Sequence, residues 1–256
     1  MAAQLPDGYR LLTFDVIDST NEEARRQALT GASEKLVIIA AEQTAGRGRR
    51  GRQWVSKPGN LFFSILLRPA VPSAQAAQLS FAAALAVHGG LKASLPEEAA
   101  APIRLKWPND LLFDEAKFCG ILLEAGSTAS GGAEPDYLII GIGVNLTDNP
   151  SDTPYPATNM LSATGHALEA QSVLAAITAV FDDLYIQWQQ EGFEALRAAW
   201  LKAAHGLGGP IEVRQGDESI SGTFAGMDEQ GGLIVRLEDG SDVTIHAGDV
   251  YFPEMG

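Results

Sequence analysis

An unbroken apolar run, Leu36 to Ala41, delivers the chain into a segment that no core can accept: Glu42-Gln43-Thr44-Ala45-Gly46-Arg47-Gly48-Arg49-Arg50-Gly51-Arg52-Gln53-Trp54. A short apolar run bounded by turn residues reads as a strand buried on both faces. The arginines and glycines at its exit force the backbone out to the surface or to the wall of a cleft. The chain as a whole carries a formal net charge of -14, so cations gathered into one turn point to a local task, which is holding an anion. Glycines let backbone and ligand approach closely, and guanidinium forks match phosphate and carboxylate oxygens. From composition alone, a solvated basic loop remains open.

Gly46 to Gly51 also satisfies the dinucleotide pattern G-x-G-x-x-G, but context removes that reading. The pattern needs a helix opening on the glycines, whereas Gln53 to Asn60 runs into the turn residues Pro58-Gly59. No G-x-x-x-x-G-K-[ST] loop occurs. Nucleic-acid binders spread basic residues over a face, and the negative balance here disfavours both nucleic acid and anionic membranes. The length of 256 residues suits one large domain, or a main domain with a small appendage. One cysteine, Cys119, excludes an internal disulfide and suits a reducing cytoplasm; its apolar strand marks it as a buried thiol. The N-terminus lacks an export signal, and no apolar stretch is long enough for a membrane span.

Along the chain, Leu11–Ile17 reads as a strand, and Asp18-Ser19-Thr20-Asn21-Glu22-Glu23 as a helix start. Ser19 with Glu22, or Thr20 with Glu23, would form a capping box, and Gly31 would stop the helix. Ser19 and Thr20 either only cap or present hydroxyls and amides to a polar ligand. Strands follow at Asn60–Leu67 and Ile103–Trp107, around a helix over Gln75–Leu95. Leu111–Phe113 and Lys117–Glu124 read as a hairpin. Lys106 and Lys117 are edge solubilisers or ligand cations. Gly126–Pro135 and Thr147–Thr158 read as loops. Tyr137–Val144 reads as a buried strand whose Gly141 and Gly143 mark where a backbone or ligand presses close, with Asn145 at its exit. Helices are expected at Ser172–Gln190 and Phe193–Ala204. After Gly208 five short strands read as a small β-barrel, dividing the chain into residues 1–207 and 208–256.

Five blocks, in order, resemble the biotin–protein ligases: Asp18–Asn21, Glu42–Trp54, Lys106-Trp107-Pro108-Asn109-Asp110, Lys117–Glu124 and Gly141–Leu146. They span Asp18 to Leu146, and the terminal module resembles the family's SH3-like domain. The resemblance implies an α+β fold, with a mixed β-sheet backed by helices like that of class II aminoacyl-tRNA synthetases, plus the small barrel. It implies ATP-dependent joining of biotin to AMP, with Mg²⁺ on the phosphates rather than in a protein metal site. Biotin then passes to a lysine of a biotin carboxyl carrier domain.

Residue by residue, the resemblance assigns catalysis to Lys117, Arg49 and Asp110. It assigns biotin binding to Ser19, Thr20, Asn21, Gln43, Arg47, Gly48, Arg49, Lys117, Gly141 and Gly143. It assigns the nucleotide to Arg47, Arg49, Arg50, Arg52, Trp54, Lys106, Asn109 and Asn145, with Trp54 as a stacking platform. Asp110 would orient the acceptor amine or take its proton. The turn is expected to be mobile when empty, because repulsion among its charges has no relief until an anion binds. Some members carry an N-terminal helix-turn-helix domain; about ten residues precede the first strand here, so a monofunctional enzyme is expected, and a homodimer is compatible. A lipoate-type ligase is disfavoured by Arg-Gly-Arg-Arg-Gly-Arg-x-Trp. A non-catalytic biotin sensor is disfavoured by the presence of both Arg49 and Lys117.

Overall fold

Strand β1 (Arg10–Ile17) and helix α1 (Thr20–Leu29) lead into β2 (Leu36–Gln43), which pairs parallel with β1. Then come β3 (Leu61–Leu67), the short α2 (Ser73–Ala76), α3 (Leu79–Ser94), α4 (Glu97–Ala100), β4 (Ile103–Lys106), β5 (Asp110–Phe113), β6 (Ala116–Gly126) and β7 (Tyr137–Val144). The seven strands form one sheet in the order β1-β2-β3-β7-β6-β5-β4, antiparallel beyond β2. The computed structural model describes residues 4–127, 134–151, 153 and 155–253. The expected loop Gly126–Pro135 lies largely outside the described residues, as do positions 152 and 154 of the Thr147–Thr158 segment.

Apolar patterning sets the layers. Every residue of β3 and β7 is buried, which makes them the sheet centre, while β1 has no buried residue and forms an edge. Val37 and Ile39 face α3 and the helices α6 (Ala170–Glu191) and α7 (Glu194–Ala203). Leu36, Ile38, Leu66 and Ile139 face the other way, onto Ala24 and Ala28 of α1. Helix α3 lies between the sheet and α6 and is buried at most positions, so its apolar residues run around the helix rather than along one stripe.

The second sheet comprises β8 (Pro210–Gln215), β9 (Glu218–Met227), β10 (Leu233–Arg236), β11 (Asp242–Ile245) and β12 (Asp249–Tyr251), ordered β11-β10-β9-β8-β12 and antiparallel throughout. Its inner residues, among them Val213, Phe224 and Val235, continue the main core. Trp107 donates its indole N–H to Gly231 O at 3.0 Å, and Gln78 Nε2 donates to Glu229 O at 3.1 Å. The main sheet's β4–β5 bend is thereby fixed against the smaller sheet.

Several local expectations change. The single helix over Gln75–Leu95 divides into α2 and α3. A short helix α5 (Met160–Thr164), opened by the Asn159 side chain accepting from Ser162 N, sits beyond the expected loop. Ser19 is the N-cap of α1, but its side chain makes no capping hydrogen bond. The capping box is absent because Glu22 and Glu23 turn to Arg47, Arg25 and Arg26. Cys119 is fully buried, and burial pushes its thiol pKa up, so it is chemically quiet.

Candidate functional site

The arginine segment is a tight hairpin. Arg47 bridges Gln53 across it, Trp54 N donates to Gly46 O at 2.9 Å, and Gly48 N donates to Arg52 O at 2.7 Å. A Cβ on Gly46 would stand 2.5 Å from the Trp54 carbonyl oxygen, so only glycine closes this hairpin. At the tip, Arg50 takes a left-handed conformation (φ 56°), which aims it away from the cleft.

The charges in this hairpin are partitioned. Arg47 meets Glu22 at 2.6 Å and Glu124 at 3.1 Å. Arg50 and Arg52 meet Asp249 of β12 at 3.0 and 2.6 Å. Arg49 instead donates to the neutral Asn109 Oδ1 at 2.9 Å, and burial lowers its pKa. Protein carboxylates therefore relieve the repulsion that the sequence reading left to an incoming anion. Arg49 is the arginine held in a half-buried place with an amide for a partner, which leaves its charge available to a ligand.

Opposite the hairpin, Lys117 on β6 places Nζ 2.7 Å from Asp110 Oδ1 on β5 and 5.4 Å from the centre of the Trp54 ring. β6 is an interior strand, which removes the edge-solubiliser reading for Lys117. Asn109 is itself pinned, its Nδ2 donating to Ile121 O at 2.6 Å and its carbonyl accepting from Ile121 N at 2.9 Å. Lys106 ends the edge strand β4, but burial pushes its pKa down, with Lys117 adding to that and Asp110 and Asp249 opposing it. It packs over Tyr155 and Phe252, at 4.9 and 5.9 Å. Tyr155 in turn shares a 2.6 Å hydroxyl contact with Tyr251 of β12.

The N-terminus of α1 closes the third wall. Gln43 Oε1 accepts from Thr20 N at 2.8 Å, while Gln43 Nε2 donates to Ser56 Oγ at 2.9 Å. The Ser64 hydroxyl lies 2.7 Å from Thr20 Oγ1 and 2.6 Å from Asn21 Oδ1. Ser19 makes no cap bond, so its hydroxyl is not committed to the helix. At the floor something does press close on Gly141 and Gly143, as their place in the strand implies, but it is a side chain rather than a backbone or ligand. Asn21 presses directly on Gly141, and the Trp54 indole lies on Gly143, where a Cβ would come within 2.5 Å of Nε1. That indole nitrogen is buried and has no hydrogen-bond partner.

These walls enclose a cavity of about 550 Å³, which all the predicted site residues line except Arg50. Arg50 is drawn off by Asp249. The structure adds residues that sequence reasoning passed over: Ser64, Glu124, Tyr155 and Asp249. Ser64 carried a signal, being the one polar side chain in Leu61–Leu67. Asp249 and Tyr155 carried none, since they reach the cavity only through tertiary packing. Among the described residues no group of three or more His, Cys, Asp or Glu could hold a metal ion, and no helix is long and apolar enough to cross a membrane.

Comparison with known proteins gives concordant matches. The profile of the biotin/lipoate A/B protein ligase family matches residues 13–145, and that of the biotin protein ligase C terminal domain matches residues 206–252. A biotin–[acetyl-CoA-carboxylase] ligase of Paracoccus denitrificans is 40% identical over 240 residues, covering 92% of this chain and 97% of the relative. The bifunctional ligase/repressor BirA of Bacillus subtilis is 34% identical over 251 residues, covering 95% and 74%. The biotin protein ligase of Aquifex aeolicus, solved with biotin and ATP, superposes with a TM-score of 0.81 at 28% identity, covering 95% and 99%.

Proposed function

We propose, for a chain that belongs to the biotin protein ligase family, that the cavity beneath the arginine hairpin is where biotin is joined to AMP and then handed to a lysine of a carrier domain. The chain is a ligase that attaches biotin to protein, and ATP supplies the AMP. The observation that carries the site assignment is the charge pattern: Arg49, which meets an amide, and Lys117, which is paired with Asp110, line one enclosed space, while the neighbouring arginines are each paired with carboxylates.

The chemistry follows from that enclosure. A biotin carboxylate attacking the α-phosphorus of ATP brings two anions together, and the barrier is mostly their repulsion. Arg49 and Lys117 supply fixed positive charge at the closing O–P bond and at the departing diphosphate. Lys106, held in a low-dielectric wall, adds a third cation. The bicyclic head group fits the polar corner of Ser19, Thr20, Asn21 and Gln43, whose amide and hydroxyl groups match a ureido ring. Trp54 offers an aromatic face beside the anhydride.

In the second step the acceptor amine forms an amide bond at the biotin carbonyl, and the carbonyl-to-oxygen bond breaks, releasing AMP. Lys117 stabilises the oxyanion of that tetrahedral intermediate. Asp110 holds Lys117 and orients the incoming amine. Mg²⁺, which phosphoryl chemistry calls for, would be held by the substrate's phosphate oxygens, since the lining carboxylates Asp110 and Asp249 are already paired with Lys117 and with Arg50 and Arg52; it would supply charge withdrawal from the phosphates.

The division at residues 207 and 208, the cytoplasmic location and the acetyl-CoA-carboxylase-type carrier belong to the same proposal. So does pairing of two copies through the edge strand β1, which hydrogen-bonds only β2 in the described sheet and exposes Val16. Incubation with biotin, Mg-ATP and a biotin carboxyl carrier domain, read by intact mass, should show one biotinyl group added to the carrier. No mass gain, together with no biotin-dependent diphosphate release, would refute the reading.

A further inference from the structure

One carboxylate outside the substrate-facing groups joins three elements. Glu124, near the end of β6, accepts from Asn21 Nδ2 at 2.7 Å and from Arg25 at 3.2 Å, and Arg47 reaches both of its oxygens at 3.2 and 3.1 Å. Its side chain is only 23% exposed, so these charge-assisted bonds are largely shielded from water. We propose that Glu124 is a positioning residue for biotin capture, setting the Asn21 amide and latching the arginine hairpin at its first arginine. The proposal rests on the reading of this cavity as the biotin site and adds a component to it.

The two ends of a carboxamide are distinguished only by their partners. Glu124 fixes the Asn21 nitrogen, and the Ser64 hydroxyl stands at the oxygen. Gly141 beneath leaves Asn21 no spare room, since a Cβ there would run into Oδ1. Arg47, balanced by Glu124 and Glu22, is an anchor for the hairpin rather than a phosphate ligand. Because α1, the hairpin and β6 share this one acceptor, the polar corner and the arginine turn are held in register.

Glu124→Gln keeps the volume and one acceptor oxygen but removes the charge that Arg25 and Arg47 share. Biotin-dependent ATP–diphosphate exchange should show the biotin KM raised about tenfold with kcat within about threefold. Protease nicking between Gly46 and Arg52 in the empty protein should rise, with the melting temperature nearly unchanged. Arg47→Gln should reproduce both effects, and the double variant should be little worse than either single one. Arg47 is 39% exposed, so this variant serves where Glu124→Gln folds poorly. Wild type without exchange activity would sink the parent reading. An active wild type with unchanged KM and nicking in these variants would overturn the role of Glu124 alone, as would additive losses in the double variant.

Discussion

Gly143→Ala tests how the Trp54 indole is held over the cavity floor. The new Cβ would stand 2.5 Å from Trp54 Nε1 and 2.6 Å from Cε2. Unstrained contacts need about 3.5 Å, so the ring must lift by about 1 Å. Gly143 is absent from the positive-φ positions, so alanine is acceptable to the backbone and the cost is steric. Overpacking of this kind costs about 1–3 kcal/mol, offset by about 0.5–1 kcal/mol from replacing glycine in a strand. The net loss, about 0–2.5 kcal/mol, lowers the melting temperature by at most about 10 °C in a protein of this size.

The kinetic effect should be larger, because a displacement of about 1 Å at a positioning group can cost on the order of 100-fold. Biotin-dependent ATP–diphosphate exchange reads that loss, and tryptophan emission reads the ring itself. Trp107, Trp188 and Trp200 are all buried in the core, so a change in emission reports Trp54. Gly120→Ala is the companion: its Cβ would meet the same ring at 2.9 Å and Lys117 Nζ at 3.3 Å, so it should depress kcat further. Wild-type exchange rates and unchanged emission in Gly143→Ala would show that Trp54 is neither held there nor used.

Lys117→Met should lower kcat/KM by about 100- to 1,000-fold without loss of fold, since it removes one preorganised donor to the developing charge; Asp110→Asn should slow transfer from preformed biotinyl-AMP, and a normal transfer rate would deny Asp110 its orienting role. Asp249→Asn breaks the pairs with Arg50 and Arg52, whose side chains are 42% and 52% exposed. Each is worth about 1 kcal/mol at most, so losing both should lower the melting temperature by no more than about 8 °C, while nicking of the hairpin tip increases. Burial lowers the His88 pKa to about 4 from its ordinary 6.5. The unfolded chain therefore binds that proton first as pH falls, so the stability it contributes is complete above pH 6.5 and is lost between 6.5 and 4. Urea unfolding at pH 7 and pH 4.5 should show a smaller difference in His88→Gln than in wild type.

Much of the architecture was legible because its signals are local. The apolar runs at Leu36–Ala41, Leu61–Leu67 (broken only by Ser64) and Tyr137–Val144 gave three central strands, and Gly206–Pro210 marked the passage to short alternating strands. Boundaries were less legible where a tertiary bond decides them. Helix α2 separates from α3 where the buried Gln78 side chain is committed to Glu229 O and Trp188 Nε1, which no local propensity encodes. The capping box at Ser19 failed for the same reason, because Glu22 had a better partner in Arg47. That residues from the five blocks would gather around one cavity was readable from the family resemblance. The division of labour within it was not, because which arginine meets which carboxylate depends on residues as distant as Asp249.

That division explains how so acidic a chain can bind two anionic substrates. Thirty-two Asp and Glu against 18 Lys and Arg mean that carboxylates are available to quench almost any exposed cation. A cleft in which all four arginines were quenched would have no guanidinium free for a phosphate, and one in which none were would repel itself open. Pairing Arg47, Arg50 and Arg52 holds the hairpin closed from both ends, through Glu22 and Glu124 on one side and Asp249 on the other. Giving Arg49 an amide instead leaves its charge for the ligand. On the proposed reading, the hairpin's shape and its affinity for an anion are supplied by different arginines, and losses of the two kinds should separate: anchor variants show first in nicking and KM, Arg49 variants in the rate of adenylate formation.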